Sequence, residues 1–172
     1  LHADGHSATV TDNGRGIPVE MHAKGRPALE IILTTLHSGG KFEGKAYTAS
    51  GGLHGVGSSV VNALSEQLKV WIKRDSKEHY MDFTRGDTTT KLKLLGKVSA
   101  KESGTKVWFK PDPTIFTELV YDYTIIQSRL RELSYLNKGV KITLRDERPE
   151  NEKEEIFHAK GGLKEFVGFL NS

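Results

Sequence analysis

Between Ser50 and Ser58 the chain reads Ser50-Gly51-Gly52-Leu53-His54-Gly55-Val56-Gly57-Ser58. It then runs into Val60, Val61 and Leu64, which together with Val56 are spaced to bury one face of a helix reaching about Gln67. Glycines let a backbone approach a ligand closely while several N–H groups point inward. The first turn of a following helix adds unpaired N–H donors and a partial positive charge, which suits an anion such as a triphosphate. A flexible linker ending in a helix cap has the same glycine content, so the loop needs a partner elsewhere in the chain before it means more than that.

The wider segment from His37 to Gly57 is polar and glycine-rich, too long for an ordinary connection inside a compact domain, and long loops of this kind act as lids. Two familiar phosphate loops do not fit. A Walker loop carries lysine and then serine or threonine after its last glycine, whereas Gly57 is followed by Ser58-Ser59. A dinucleotide-binding turn follows a strand directly, and this one follows the polar segment.

The partner lies upstream, in Asp12-Asn13-Gly14-Arg15-Gly16-Ile17-Pro18. A short acceptor-only carboxylate at a sharp turn, with glycine on both sides of Arg15, matches the exocyclic amine of adenine, and Gly14 and Gly16 leave room for a base against backbone. An Asp-Asn-Gly run is also a common plain turn. His22, His37 and His79 show no metal-ligand spacing, which argues against a zinc site.

The remaining periodicities predict strands at 7–11, 68–74, 79–85, 91–95, 105–110 and 140–144, and helices at 27–36, 123–136 and 163–170. Ile125, Ile126, Leu130 and Leu133 form the apolar stripe of the middle helix, and neighbouring strands are expected to pair sequentially and antiparallel. Without strict βα alternation the expected class is α+β: a two-layer sandwich with a mixed, mostly antiparallel sheet covered on one face by helices. At 172 residues and 36% hydrophobic, one core and a single domain over 1–172 are expected. No apolar run approaches the roughly 18 residues needed to span a bilayer, so a cytoplasmic protein without membrane contact is expected. The absence of cysteine excludes disulfides and thiolate chemistry. Net charge is only +3 and the lysines and arginines are scattered along the sequence, without the basic stripe of a DNA-reading module.

Taken together, Asp12 to Pro18, Gly39-Gly40-Lys41-Phe42 and Ser50 to Gly57 resemble the nucleotide-binding signatures of the gyrase, Hsp90, histidine kinase and MutL (GHKL) superfamily. The stretch from His37 to Leu64, including Val60-Val61-Asn62-Ala63-Leu64-Ser65, is similar to the ATPase subunits of bacterial type IIA DNA topoisomerases, of gyrase B or ParE type. The resemblance continues through Gly104-Thr105 and Arg129 to Leu133 as far as Phe166.

The resemblance implies that Asp12 accepts a hydrogen bond from the adenine amine, with Gly14 making room and Gly16 and Thr105 supporting an ordered water beside it. It implies that Gly52, Leu53, His54, Gly55, Val56, Gly57 and Ser58 wrap the phosphates, that Lys41 approaches the γ-phosphate, and that Tyr47 lies beside the nucleoside. Arg15, Ile17, Pro18 and Arg74 correspond to the pocket rim, where competitive inhibitors such as aminocoumarins bind. ATP and Mg²⁺ are the implied cofactors.

In the family the general-base glutamate and the magnesium-binding asparagine sit on a helix before the first strand, so no catalytic or metal residue is assignable. The chain, beginning at Leu1 and ending at Ser172, is expected to lack that helix, the N-terminal arm and the following transducer domain, and to be catalytically incomplete. The implied intact protein closes its lid to form an ATP-dependent homodimer, works with a DNA-cleaving partner subunit of GyrA or ParC type, and contacts DNA mainly through other domains. An ATP-switched clamp of MutL or Hsp90 type and a histidine-kinase ATP domain are the alternatives; Gly-Gly-Lys-Phe and the long lid weigh against the kinase.

Overall fold

A computed structural model describes residues 1–37 and 55–170. The chain forms two compact units, Ser7–Glu118 and Leu1–His6 with Leu119–Ser172, each with its own hydrophobic cluster, where length alone led us to expect one core.

The larger unit contains β1 (Ala8–Thr11), α1 (Ala28–Thr34), α2 (Gly57–Ala63), β2 (Ser65–Arg74), β3 (Lys77–Thr84), β4 (Asp87–Thr88), β5 (Lys93–Lys97) and β6 (Gly104–Pro111). Its sheet has the order β1-β6-β2-β3-β4, with β5 also on β3, and every described pairing is antiparallel. The α+β class therefore stands. Sequential pairing holds for β2 and β3, joined by Asp75-Ser76, both with positive φ (51° and 59°) as a tight hairpin of right-handed twist requires. It fails at β6, which inserts between β1 and β2 instead of lying beside β5.

Period-two alternation builds the core. Leu68, Val70 and Ile72 on β2 and Met81 and Phe83 on β3 are at most 1% exposed and meet Leu29 and Leu33 of α1. Each such side chain contributes about 1.5–3 kcal/mol of burial free energy, so this face, with α1 laid on it, sets the floor on which the loops stand.

Helix α2 departs from expectation. It ends at Ala63, and Ser65 already belongs to β2. Val60 and Val61 stay 40% and 38% exposed, while Ser59 and Asn62 face inward. Positions i and i+3 lie on one face of a helix, and in α2 the polar pair Ser59 and Asn62 takes the buried face. Fully buried Asn62 donates from Nδ2 to the Leu33 carbonyl (2.9 Å) and the Gly86 carbonyl (3.2 Å), tying α2 to the end of α1 and to the β3–β4 turn.

The smaller unit contains α3 (Tyr123–Leu136), β7 (Ile142–Asp146), β8 (Lys153–Phe157) and α4 (Leu163–Leu170). Asp122 caps α3 by accepting from the Thr124 and Ile125 amides at 2.8 and 3.1 Å. Ile125, expected on the apolar stripe, is 68% exposed; Tyr123, Leu144 and Phe157 form the cluster, with Ile126 and Leu130 against it. Strand β8 is too charged to read as a strand, and its pairing with β7 places Glu154 beside Arg145 as an ion pair of 2.6 Å. Leu1 extends along β7, its ammonium donating to the Arg145 carbonyl at 2.7 Å.

Candidate functional site

Asp12 sits where β1 ends, and its turn is held by backbone. Its amide donates to the Thr105 carbonyl at 2.9 Å, and its Oδ1 accepts from the Gly14 amide at 2.8 Å and the Thr105 amide at 3.2 Å. Both bonds to the carboxylate fall on that one oxygen. The residue itself is exposed, so the carboxylate is oriented without being enclosed by the described residues.

The glycines around it are steric requirements. A Cβ at Gly14 would lie 2.9 Å from Asp12 Oδ1, and one at Gly16, whose φ is +75°, would lie 2.8 Å from the Lys73 carbonyl and 3.1 Å from Ile72 Cγ2. The chain thus passes in direct contact with the end of β2, and the Arg74 guanidinium donates to the Gly16 carbonyl at 3.0 Å. Arg74 also lies 3.5 Å from a Glu20 oxygen and 3.4 Å from one of Asp75, so this cation is shared between a backbone carbonyl and two carboxylates. Thr105, 7% exposed, uses its hydroxyl to accept from the Ile17 amide at 3.3 Å, while Ile17 packs on the core cluster and Pro18 is exposed. Asp12, Gly14, Gly16, Ile17, Arg74 and Thr105 are therefore brought together; Arg15, in the same turn, is exposed.

One residue against this turn, Gly104 at the start of β6, entered the sequence reading only within the Gly104-Thr105 resemblance, without a role. Gly104 has φ +145°, and a Cβ there would collide with the Asp12 carbonyl oxygen, so only glycine lets β6 pass this close to the turn. The available signal was the Gly-Thr pair opening a predicted strand.

On the second loop, Lys41, Tyr47, Gly52, Leu53 and His54 lie outside the described residues. Gly55 (φ +62°) accepts from the His37 amide at 3.1 Å. Val56 takes the N-cap position of α2 without a side-chain cap, Gly57 opens the helix, and Ser58 Oγ donates to the Ile32 carbonyl at 3.4 Å. A Cβ on Gly57 would meet nothing within 4 Å, so glycine is not needed there for packing. An uncapped first turn leaves N–H donors without intrahelical partners. No group of three or more metal-ligating side chains occurs among the described residues.

The profile of the family described as histidine kinase-, DNA gyrase B-, and HSP90-like ATPase matches residues 1–115, and the chain belongs to that family. Within it the chain is similar to the DNA gyrase B protein of Halalkalibacterium halodurans, 55% identical over 168 residues, 96% of this chain and 26% of the relative. The gyrase B of Clostridium acetobutylicum is 51% identical over 172 residues, 99% and 26% of the two chains. That of Archaeoglobus fulgidus is 54% identical over 175 residues, 99% and 27%. The chain thus spans about a quarter of the length of the curated relatives it matches. Among solved structures, the 43K ATPase domain of Thermus thermophilus gyrase B in complex with an aminocoumarin superposes with TM-score 0.83 at 44% identity, covering 99% of this chain and 42% of that one.

Proposed function

We propose that this chain is the ATP-binding domain of a gyrase-B-type subunit of a type IIA DNA topoisomerase. The observation that carries the reading is the Asp12 turn: two backbone amides fix Oδ1, so Oδ2 has a set direction and takes no hydrogen bond from the described residues. Oriented in this way, Oδ2 accepts the adenine amine, Thr105 and Gly16 hold a water beside the base, and Gly14 leaves the base room. Arg74, Arg15, Ile17 and Pro18 form the rim on which an aminocoumarin competes. Amides from Gly52 through Ser58 surround the phosphates, Lys41 neutralises the terminal one, and Tyr47 covers the nucleoside.

Bound Mg²⁺ would supply charge neutralisation at the phosphates; no group of three or more His, Asp or Glu side chains suited to a metal occurs among the described residues, so none is assigned as its ligand. The whole protein, on this reading, is cytoplasmic, dimerises as its lid closes over ATP, and couples turnover to strand passage with a DNA-cleaving partner. Among the described residues no helix is long and apolar enough to cross a membrane.

Calorimetric titration of the chain with an aminocoumarin and with a non-hydrolysable ATP analogue tests the pocket. Asp12→Asn is the informative variant, because its side-chain carbonyl keeps the two amide bonds while the carboxamide NH2, a donor, replaces Oδ2 and faces the adenine donor. Loss of a charge-assisted hydrogen bond, about 1.5–3 kcal/mol, predicts roughly tenfold to hundredfold weaker binding without a change in melting temperature. Unchanged affinity for both ligands would remove Asp12 from the site. For the whole protein, absence of ATP-stimulated supercoiling and decatenation in the presence of its partner subunit would overturn the topoisomerase reading.

A further inference from the structure

The sheet of the larger unit has a second face, away from α1, and its composition is unusual for a solvated surface. Alternation places Lys69 and Trp71 of β2, Tyr80 of β3, and Lys106 and Trp108 of β6 on it, opposite Leu68, Val70 and Ile72. Register sets Trp71 beside both Tyr80 and Lys106, and Lys69 beside Trp108. The Trp71 and Tyr80 rings lie 5.2 Å apart at 52°. Lys69, Trp71, Tyr80 and Trp108, with Leu95 of β5, line an open cavity of about 440 Å³.

Charge on this face is arranged in a particular way. The Lys69 ammonium lies 4.8 Å over the Trp108 ring, Lys106 lies 4.6 Å over Trp71, and Lys93 lies 6.0 Å over Tyr80. None of the three forms an ion pair with a described carboxylate, whereas Lys73 and Lys110 on the same face are matched by Glu102 (2.6 Å) and Glu66 (3.0 Å). Asp82 lies opposite Lys69 in register and feels the charge of Lys93, but its carboxylate accepts from the Tyr80 and Thr89 hydroxyls at 2.9 and 2.8 Å and closes no ion pair with either lysine. Three ammoniums outside any such ion pair, on flexible stems, thus stand over three rings on adjacent strands.

We propose that this face of β2, β3 and β6 is a binding platform for single-stranded nucleic acid, with Trp71, Tyr80 and Trp108 stacking unpaired bases and Lys69, Lys93 and Lys106 meeting the phosphates. Rings on a sheet surface reach the faces of bases, which a duplex hides inside its own stack, and lysines freed from the rings release counterions from the strand as they bind it. The platform is separate from the Asp12 turn and does not depend on its assignment.

Trp71 and Trp108 are the only tryptophans in the chain, so intrinsic fluorescence reports on this face directly. Titration with poly(dT) at low salt is expected to quench that fluorescence, with affinity falling as salt rises. Lys69→Gln and Lys106→Gln should each lower the slope of log K against log salt by about 0.7. Trp108→Ala should weaken binding roughly tenfold, and Trp108→Phe, which keeps a π-face, should retain most of it. Far-UV circular dichroism and melting curves identify any variant that has failed to fold, and the two lysine variants, on solvent-facing positions, keep the proposal testable if Trp108→Ala is one. Absence of quenching overturns the platform. So does duplex DNA competing as well as poly(dT), or a salt slope that neither lysine variant changes. Self-association of the chain lost in the lysine variants, without any response to poly(dT), would give the face to a second copy and likewise overturn the proposal.

Discussion

Asp12 and Thr105 hold each other reciprocally: the Asp12 amide donates to the Thr105 carbonyl at 2.9 Å, and the Thr105 amide donates to Asp12 Oδ1 at 3.2 Å. The pair forms only because Gly104 lets β6 run against the turn. Gly104→Ala combines a φ of +145° with a collision against the Asp12 carbonyl and should cost on the order of 3 kcal/mol, about 6–12 °C in Tm. Gly57→Ala, which meets open space at the start of α2, should leave Tm nearly unchanged while weakening binding of the ATP analogue. Calorimetric melting and ligand titration of the two variants separate structural from ligand-facing glycine; equal effects on Tm would contradict the assignment.

Asn62 locks α2 to α1 and to the Gly86 turn from a fully buried position. Asn62→Ala removes both donated bonds, leaves two carbonyls unpaired and opens a void, which should cost about 2–4 kcal/mol. Asn62→Asp should cost more, because a carboxylate would face the same two carbonyl oxygens. Urea denaturation followed by tryptophan fluorescence measures both, and an Asp variant as stable as wild type would show that the amide does not act as this donor.

Asp112 is buried beneath Arg85, whose guanidinium approaches at 2.5 Å, and it also accepts from the Thr114 amide and hydroxyl at 2.9 and 2.8 Å. The Arg85 bond first, then the Thr114 amide, hold its carboxyl down at about 2, against an ordinary 3.8. A depressed carboxylate stabilises the fold fully above its unfolded value, and that stabilisation disappears as pH falls through the folded one. Arg85→Met should therefore lower Tm by several degrees at pH 7, with the difference from wild type shrinking between about pH 4 and 2. A difference that stays constant across that window would mean that Arg85 acts through packing instead of charge.

Asp146 has an inaccessible side chain and is paired with Arg148, itself 13% accessible, at 2.7 Å; the same arginine donates to the Tyr121 carbonyl at 2.6 Å. Arg148→Met strands a buried carboxylate and should cost about 3–5 kcal/mol. Adding Asp146→Asn should recover part of that loss. A double-mutant cycle by chemical denaturation measures the coupling, and strict additivity would show that the pair does not interact.

Elements with strong local signatures were legible in the sequence. The bounds of α3 and α4 follow from apolar spacing, and the Asp12 turn and α1 from turn and helix-start residues. What was not legible depended on strand order. Nothing local places β6 between β1 and β2, so the need for glycine at 104 could be read only once Asp12 and Thr105 were known to touch. Lysines at 69, 93 and 106, scattered in sequence, gather on one face for the same reason. Val60 and Val61 misled because the buried face of α2 is taken by Ser59 and Asn62, and Asn62 is held there by hydrogen bonds that apolar spacing does not report. Strand β8 escaped because its partner β7 supplies the charges that match its own.

The insertion of β6 also sets an order of events during synthesis. Asp12 leaves the ribosome 93 residues before its partner Thr105. Until that strand emerges, β1 lacks the partner it has among the described residues, and the carboxylate is without the Thr105 amide that helps to orient it. Contacts this distant in sequence form late, because a long loop must close before any of them contributes. A nascent chain from which residue 104 has not emerged should be unable to retain nucleotide, and one with residue 111 clear of the ribosome should acquire the central sheet and the Asp12 turn in a single cooperative step.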